Sequence, residues 1–275
     1  MDSDFSTTRS SRPVDNSSHV SPVAGTQAVD RAFLILNTLA HQDGGRGMGL
    51  VQLSKEVQLN KSTVHRLVSV MVRHGFLRQD PETERYRLGL VLAELGQLCL
   101  ADMEVRREAH PYLNQLMATL CETVHLGILD ERQVVYIDKC EYQGTIRLSS
   151  RVGSRVPAHS SSLGKAILAY LTEQQVNRVI ERGLVPRTSN TITDPRRFRD
   201  ELLAVRVRGY AVDNEENRES IRCVAAPILD HQGGPIAAIS IAGLATSITE
   251  QRVPEIGRLV KDAAEQVSRR MGFRG

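Results

Sequence analysis

Residues 58–79 read QLNKSTVHRLVSVMVRHGFLRQ, and the reading of this stretch decides the fold of the N-terminal part of the chain. Apolar side chains recur at Val64, Leu67, Val68 and Met71, the spacing of one buried stripe along an α-helix. The opposite stripe carries Ser62, His65, Arg66, Ser69 and Arg73, all able to donate hydrogen bonds. No Asp or Glu interrupts the run, while Lys61, Arg66, Arg73 and Arg78 supply positive charge. A carboxylate on that face would repel phosphate, so its absence suits a nucleic-acid surface. The plainer alternative is a half-exposed surface helix, which usually mixes both signs of charge.

The flanks favour the first reading. Upstream, residues 28–39 (AVDRAFLILNTL) carry a helical pattern through Ala32, Ile35, Leu36 and Leu39, broken by the loop HQDGGRGMG at 41–49. A short helix is expected at 51–57, and only Gln58 and Leu59 separate it from Asn60. Asn60 is placed as an N-cap whose side-chain oxygen accepts from an otherwise unpaired N–H. Two helices joined this tightly form a helix-turn-helix, whose second helix enters the major groove. Downstream, Gly75 is placed to end the helix in the left-handed conformation. Residues 76–89, FLRQDPETERYRLG, then read as a β-hairpin around the turn DPET, with Pro81 presetting the backbone. A hairpin bearing arginines beside a recognition helix is a wing, so the expectation is a winged helix-turn-helix.

Taken together, the segment LSKEVQLNKSTVHRLVSVMVRHGFLRQDPETERYRLGL (53–90) resembles the N-terminal domain of the IclR family of bacterial transcriptional regulators. GSRVPAHSSSLGKAILA (153–169) and GYAVDNEENRESIRCVAAPI (209–228) resemble that family's effector-binding domain. The wording DNEENRE and SRVGSRVP is similar to the branch named for 2-keto-3-deoxygluconate. The resemblance runs from about residue 26 to the C-terminus, and its motifs agree in order and spacing. One departure is Ser220, where the family usually has glycine; if that glycine serves a turn with positive φ, serine strains it.

Length and composition agree with two small domains. The net charge is only +3, so any nucleic-acid affinity must come from a local surface rather than from a polycation. Four cysteines, Cys99, Cys121, Cys140 and Cys223, form no CxxC pair, so neither a disulfide framework nor a zinc site is expected. No metal or cofactor is implied. Residues 1–25 lack an apolar leader core and read as a disordered tail; no window is apolar enough to span a bilayer, and a cytoplasmic protein is the default. The boundaries expected are a tail at 1–25, a DNA-binding domain at 26–89, a linker helix at 90–104 and an effector domain at 105–275.

The linker LVLAELGQLCLAD (90–102) is too apolar for a free connector. The resemblance implies that it takes part in dimer contacts; packing within its own chain is the alternative. Beyond it, helices are expected at 105–121, 163–171, 173–182, 195–208 and 249–271. Thr172 and Gln175 form a capping box, and Asp194 and Pro195 open the fourth helix. Pro111 is expected near a kink or a first turn. Strands are expected at 124–129, 134–139, 146–150, 210–213, 223–229 and 236–241. That order suggests an α+β fold, an antiparallel sheet flanked by helices, resembling the GAF-like domain of the family.

The segment PAHSSSLGKA places Ser160, Ser161, Ser162, Leu163 and Gly164 at a helix N-terminus, where free N–H groups and hydroxyls suit a carboxylate. The alternative is that Ser161 or Ser162 only caps its own helix. The resemblance implies further effector contacts at Asp213, Cys223 and Ser240. Asp213 would repel a carboxylate but can accept from a hydroxyl, so a hydroxylated acid such as a sugar acid or keto-deoxy acid fits both ends. Cys223 reads equally well as a small buried hydrophobe, and His125 reads as a structural histidine.

The function expected is a ligand-controlled transcriptional regulator of catabolic genes, repressor by default and activator as the runner-up. Its partners would be a palindromic DNA duplex, a small organic acid and further copies of itself, as a dimer or a dimer of dimers, with no membrane. Ser62, Thr63, His65 and Arg66 are the candidates to face the groove; Lys61, Arg73, Arg78, Arg85 and Arg87 are the candidates to hold phosphates. A thiol enzyme built from Cys223, His159 and Asp213 is a weaker alternative, since the chain has no GxSxG, P-loop, HExxH or dinucleotide fingerprint. A winged helix used only for protein contacts is a third.

Overall fold

The computed structural model describes residues 26–42, 46–142 and 149–274. It divides into two compact units, one reaching to Gly96 and one beginning at Gln97. The reading of residues 1–25 as a disordered tail lies outside the described residues.

In the first unit, α1 (Gln27–Ala40), α2 (Leu50–Glu56) and α3 (Lys61–Arg73) precede the hairpin β1 (Leu77–Gln79) and β2 (Tyr86–Leu88). Val64, Val68 and Met71 of α3 are buried with Ile35, Leu39, Leu53, Leu77 and Tyr86, while Leu67 sits at the margin of that core. This core fixes which face of α3 turns outward. Gly75 ends the helix region at φ +75°, as expected, and a Cβ there would also lie 2.7 Å from Val91. The wing turn is held by Asp80, whose Oδ1 accepts from the N–H groups of Glu82 at 3.2 Å and Thr83 at 3.0 Å.

The expected side-chain cap fails at Asn60. Asn60 occupies the N-cap position, but its side chain accepts no capping bond. The residue is exposed, so water can satisfy both its amide and the helix N–H groups at little cost.

α4 (Leu90–Ala101) spans the boundary between the units, and none of its residues is buried. The second unit then contains α5 (Glu104–Leu120), β3 (Thr123–Asp130), β4 (Gln133–Cys140), β5 (Arg155–Pro157), α6 (Ser162–Leu168), α7 (Glu173–Glu181), α8 (Pro195–Arg208), β6 (Ala211–Asn214), β7 (Ile221–Leu229), β8 (Pro235–Leu244) and α9 (Val253–Arg270). The strands form one sheet in the order β5-β4-β3-β8-β7-β6, every neighbour antiparallel. Thr172 and Gln175 make the expected capping box, and Asp194 accepts from the N–H of Arg197 with Pro195 beginning α8.

Strand periodicity divides the sheet into two unlike faces. Val124, Leu126, Val224, Ile239 and Ile241 pack with α5 and α9 residues such as Leu113, Leu116, Val260 and Ala264. The alternate positions are small or polar. Ala225 and Ala238 pack against α6, a Cβ on Gly127 would lie 3.1 Å from Leu163, and His125, Cys223 and Ser240 share that face by their alternation with the apolar set.

Three local expectations need correction. Of the strand expected at 146–150, residues 146–148 lie outside the described residues, and Ser149 and Ser150 belong to no strand. Among the described residues the strand beside β4 at that edge is β5, three residues long and therefore too short to show a period. Pro111 lies well inside α5, so of the two places expected for it the first turn is excluded. The last helix begins at Val253, because Thr249 is used in a turn: its carbonyl accepts from the N–H groups of Arg252 at 3.0 Å and Val253 at 3.2 Å.

Ser220 does occupy the left-handed region, at φ +62°. A non-glycine residue there costs about 1–2 kcal/mol. Two bonds hold it: its N–H donates to Glu215 Oε2 at 2.8 Å, and its carbonyl accepts from Ala245 N–H at 2.9 Å.

Candidate functional site

The outward face of α3 presents Lys61, Ser62, His65, Arg66, Ser69 and Arg73, all exposed, with Thr63 partly so. Ser69 spends its hydroxyl proton on the carbonyl of His65 at 2.7 Å, which leaves Lys61, His65 and Arg66 as the long donors near the helix start. Because Asn60 does not cap, the first-turn N–H groups of α3 also have no side-chain partner. Such a terminus favours an anion.

The wing adds to this charge. Arg78 and Arg87 stand directly opposite one another across β1 and β2. Like charges in that position destabilise a hairpin unless an anion lies between or beside them. Asp80 relieves part of the repulsion, at 3.4 Å from Arg87. Arg85 is tethered differently, donating to the carbonyl of Gly47 at 3.2 Å. Arg78 therefore remains the freer of the wing cations, and Arg85 and Arg87 are partly committed to the fold.

On the α6 face of the sheet of the second unit lies a cavity of about 240 Å³. Ser161, Ser162, Leu163, Asp213, Cys223 and Ser240 line it. Sheet register explains how residues far apart in sequence meet there. Asp213 pairs with Cys223 and Cys223 with Ala242, while Ala225 pairs with Ser240 and Ser240 with His125. Ser162 and Ser240 share a hydrogen bond at 3.1 Å, tying α6 to β8.

Ser160 and Gly164 do not line the cavity. Ser160 is fully buried and donates to Asn217 Oδ1 at 3.4 Å. Gly164 packs against the chain at Ala158, where a Cβ would lie 2.1 Å from the carbonyl oxygen. Ser161 caps its own helix by accepting from Gly164 N–H at 3.2 Å. Ser162 and Leu163, the first two residues of α6 after that cap, line the cavity wall.

Sequence reasoning gave His125 little weight and missed Tyr136, Arg155 and Arg218, which also line the cavity. His125 stacks on Tyr136 with ring centroids 4.6 Å apart, and its Nε2 meets Ser150 Oγ at 2.7 Å. Burial pushes its pKa down to about 3, so the ring is neutral at physiological pH. Burial likewise pushes the Tyr136 hydroxyl and the Cys223 thiol up, with the Asp213 charge adding to both. Neither ionises near neutrality, and Cys223 is no thiolate nucleophile.

His159 does not complete a triad. It is absent from the cavity wall, and its Nε2 donates to the carbonyl of Val185 at 2.9 Å. Among the described residues no cluster of His, Cys, Asp and Glu is placed to hold a metal ion, the cysteines carry no disulfide, and no helix is long and apolar enough to cross a membrane.

A winged helix with an open cationic face, joined in one chain to an α+β unit with a polar cavity, is the outline of a DNA-binding regulator. Comparison with known proteins gives the family. Residues 28–81 match the IclR helix-turn-helix domain, and residues 97–269 match the C-terminal domain of bacterial IclR transcriptional regulators. The chain is 36% identical over 247 residues to the HTH-type transcriptional regulator KdgR of Escherichia coli, covering 90% of this chain and 93% of that protein. It is 36% identical over 251 residues to the acetate operon repressor of Salmonella typhimurium, covering 90% and 91% of the two chains. The crystal structure of the Thermotoga maritima IclR superposes with a TM-score of 0.75 at 36% identity, covering 89% of this chain and 98% of that one. The chain belongs to the IclR family of bacterial transcriptional regulators. These relatives are regulators, not enzymes.

Proposed function

We propose that the protein represses catabolic genes in the cytoplasm and is released from, or locked onto, its operator by a small organic acid. Residues 26–89 are the DNA-binding domain, 90–104 the linker helix and 105–275 the effector domain. Ser62, Thr63, His65 and Arg66 face the major groove, and Lys61, Arg73 and Arg78 take phosphates. Arg85 and Arg87 do so once their contacts to Gly47 and Asp80 yield. The observation that carries this reading is the open, carboxylate-free face of α3. Repression is favoured by the similarity to the acetate operon repressor of Salmonella typhimurium.

The effector occupies the α6 cavity, its carboxylate on the Ser162 and Leu163 N–H groups and its polar end toward Asp213. A sugar acid or keto-deoxy acid suits these two ends. Dimer formation covers α4, where Leu90 is 73% and Leu98 66% exposed; apolar area so open on one helix calls for a partner. Two copies place two recognition helices on a palindromic site.

Fluorescence anisotropy with a random-sequence duplex tests the DNA reading. Affinity should fall by at least about tenfold between 50 and 200 mM salt, as phosphate contacts release counterions. A flat response would assign the winged helix to protein contacts.

A further inference from the structure

We propose that the effector cavity binds its anionic ligand together with one proton, and that Asp213 is the group that carries it. This rests on the cavity being the effector site. Asp213 is 2% exposed and lines the cavity from β6. Its Oδ1 accepts from the N–H groups of Glu216 at 2.8 Å and Asn217 at 3.2 Å.

Among the described residues, the cations around the cavity bond to other groups. Lys165 of α6, itself 1% exposed, is held by Glu216 at 2.5 Å and Glu201 at 3.4 Å. On β5, Arg155 pairs with Asp130 at 2.5 Å. Arg218 donates to Ser149 Oγ at 3.2 Å at the exposed end of the cavity. On β4, Lys139 pairs with Glu141 at 3.2 Å and donates to the Ser150 carbonyl at 2.9 Å. The other titratable groups around the cavity, His125 on β3, Tyr136 on β4 and Cys223 on β7, are all held neutral by burial.

A carboxylate ligand therefore enters a small cavity that already contains a buried carboxylate. Two such anions in one low-dielectric site do not both stay ionised. The proton comes from solvent: a bond forms between H⁺ and Asp213 Oδ, and no other bond changes. Protonated Asp213 turns from acceptor to donor and bonds a ligand oxygen rather than repelling it. Even without ligand, burial and then the Glu216 charge push the Asp213 carboxyl up to about 7, against the opposing pull of Lys165.

The direction of the pH effect follows. The ligand prefers protonated Asp213, so affinity is full below the free-state pKa and falls as pH rises through it. Between pH 6 and pH 8 the loss should be about tenfold, since each unit above the pKa costs about a factor of ten.

Isothermal titration calorimetry tests this with D-gluconate, pyruvate and benzoate, whose own carboxyls stay ionised over that range. Runs in two buffers of different ionisation enthalpy count the protons. We expect uptake of about one proton per site at pH 8, close to none at pH 6, and the tenfold weakening between them. Asp213→Asn, whose amide mimics the neutral acid, should bind with no proton uptake and no pH dependence. Binding of a probe without proton uptake would overturn the proposal and leave the effector site standing, with Asp213 an ionised acceptor. Binding by none of the three at pH 6 would overturn the site assignment and this proposal with it.

Discussion

Replacing Arg66 by alanine is expected to weaken binding to the operator by about 1–3 kcal/mol, roughly 5- to 150-fold, if the guanidinium makes a bidentate contact to a base. Arg66 is exposed and pairs with no carboxylate among the described residues, so the free protein loses little when it is removed. Val64 and Val68, two residues to either side, hold the helix in the core. The variant should therefore fold normally. The comparison needs two duplexes, one selected by the protein from a randomised pool and one of scrambled sequence. Loss on the selected duplex alone marks base readout. Equal loss on both would reassign Arg66 to the phosphates, whereas unchanged affinity on both would remove it from the interface.

Gly164→Ala should have the larger effect on stability. The added Cβ would lie 2.1 Å from the Ala158 carbonyl oxygen and 2.3 Å from its Cα, and backbone cannot yield as a side-chain tip can. Overpacking of this kind costs about 3 kcal/mol or more, the upper end of the usual range. For a domain of this size that lowers the thermal midpoint by roughly 6–12 °C. The damage is local to the α6 cavity, because Ser161 accepts from the N–H of this same residue and Ser162 and Leu163 line the wall beside it. Ligand-induced stabilisation should be lost with the midpoint. An unchanged midpoint would show that α6 can move away from residue 158 freely.

How much of this could be read from sequence depended on how local each signal was. The α3 stripe was legible because burial and charge alternate within thirteen residues, and the turn residues Gly75 and Pro81 mark its flanks. Ser161, Ser162 and Leu163 were found from a compact segment at a helix start. Tyr136 and His125 were not, since nothing beside them signals a cavity; β3 and β4 bring them together only through sheet register. Lys165 carries no local mark of its burial in the sequence. Its burial depends on Glu201 and Glu216, 36 and 51 residues away, which no local pattern reveals. Asn60 shows the opposite error: the right residue at the right place, whose side chain makes no capping bond.

The central claim is that the outward face of α3 seats in the major groove. Photo-crosslinking from a benzophenone side chain at position 65, with position 33 on α1 as the control, tests it on the selected duplex. The account predicts adducts to bases from position 65 in two half-sites about one helical turn apart, or a multiple of that spacing, and none from position 33. Retained DNA binding with no adduct from position 65 would contradict it.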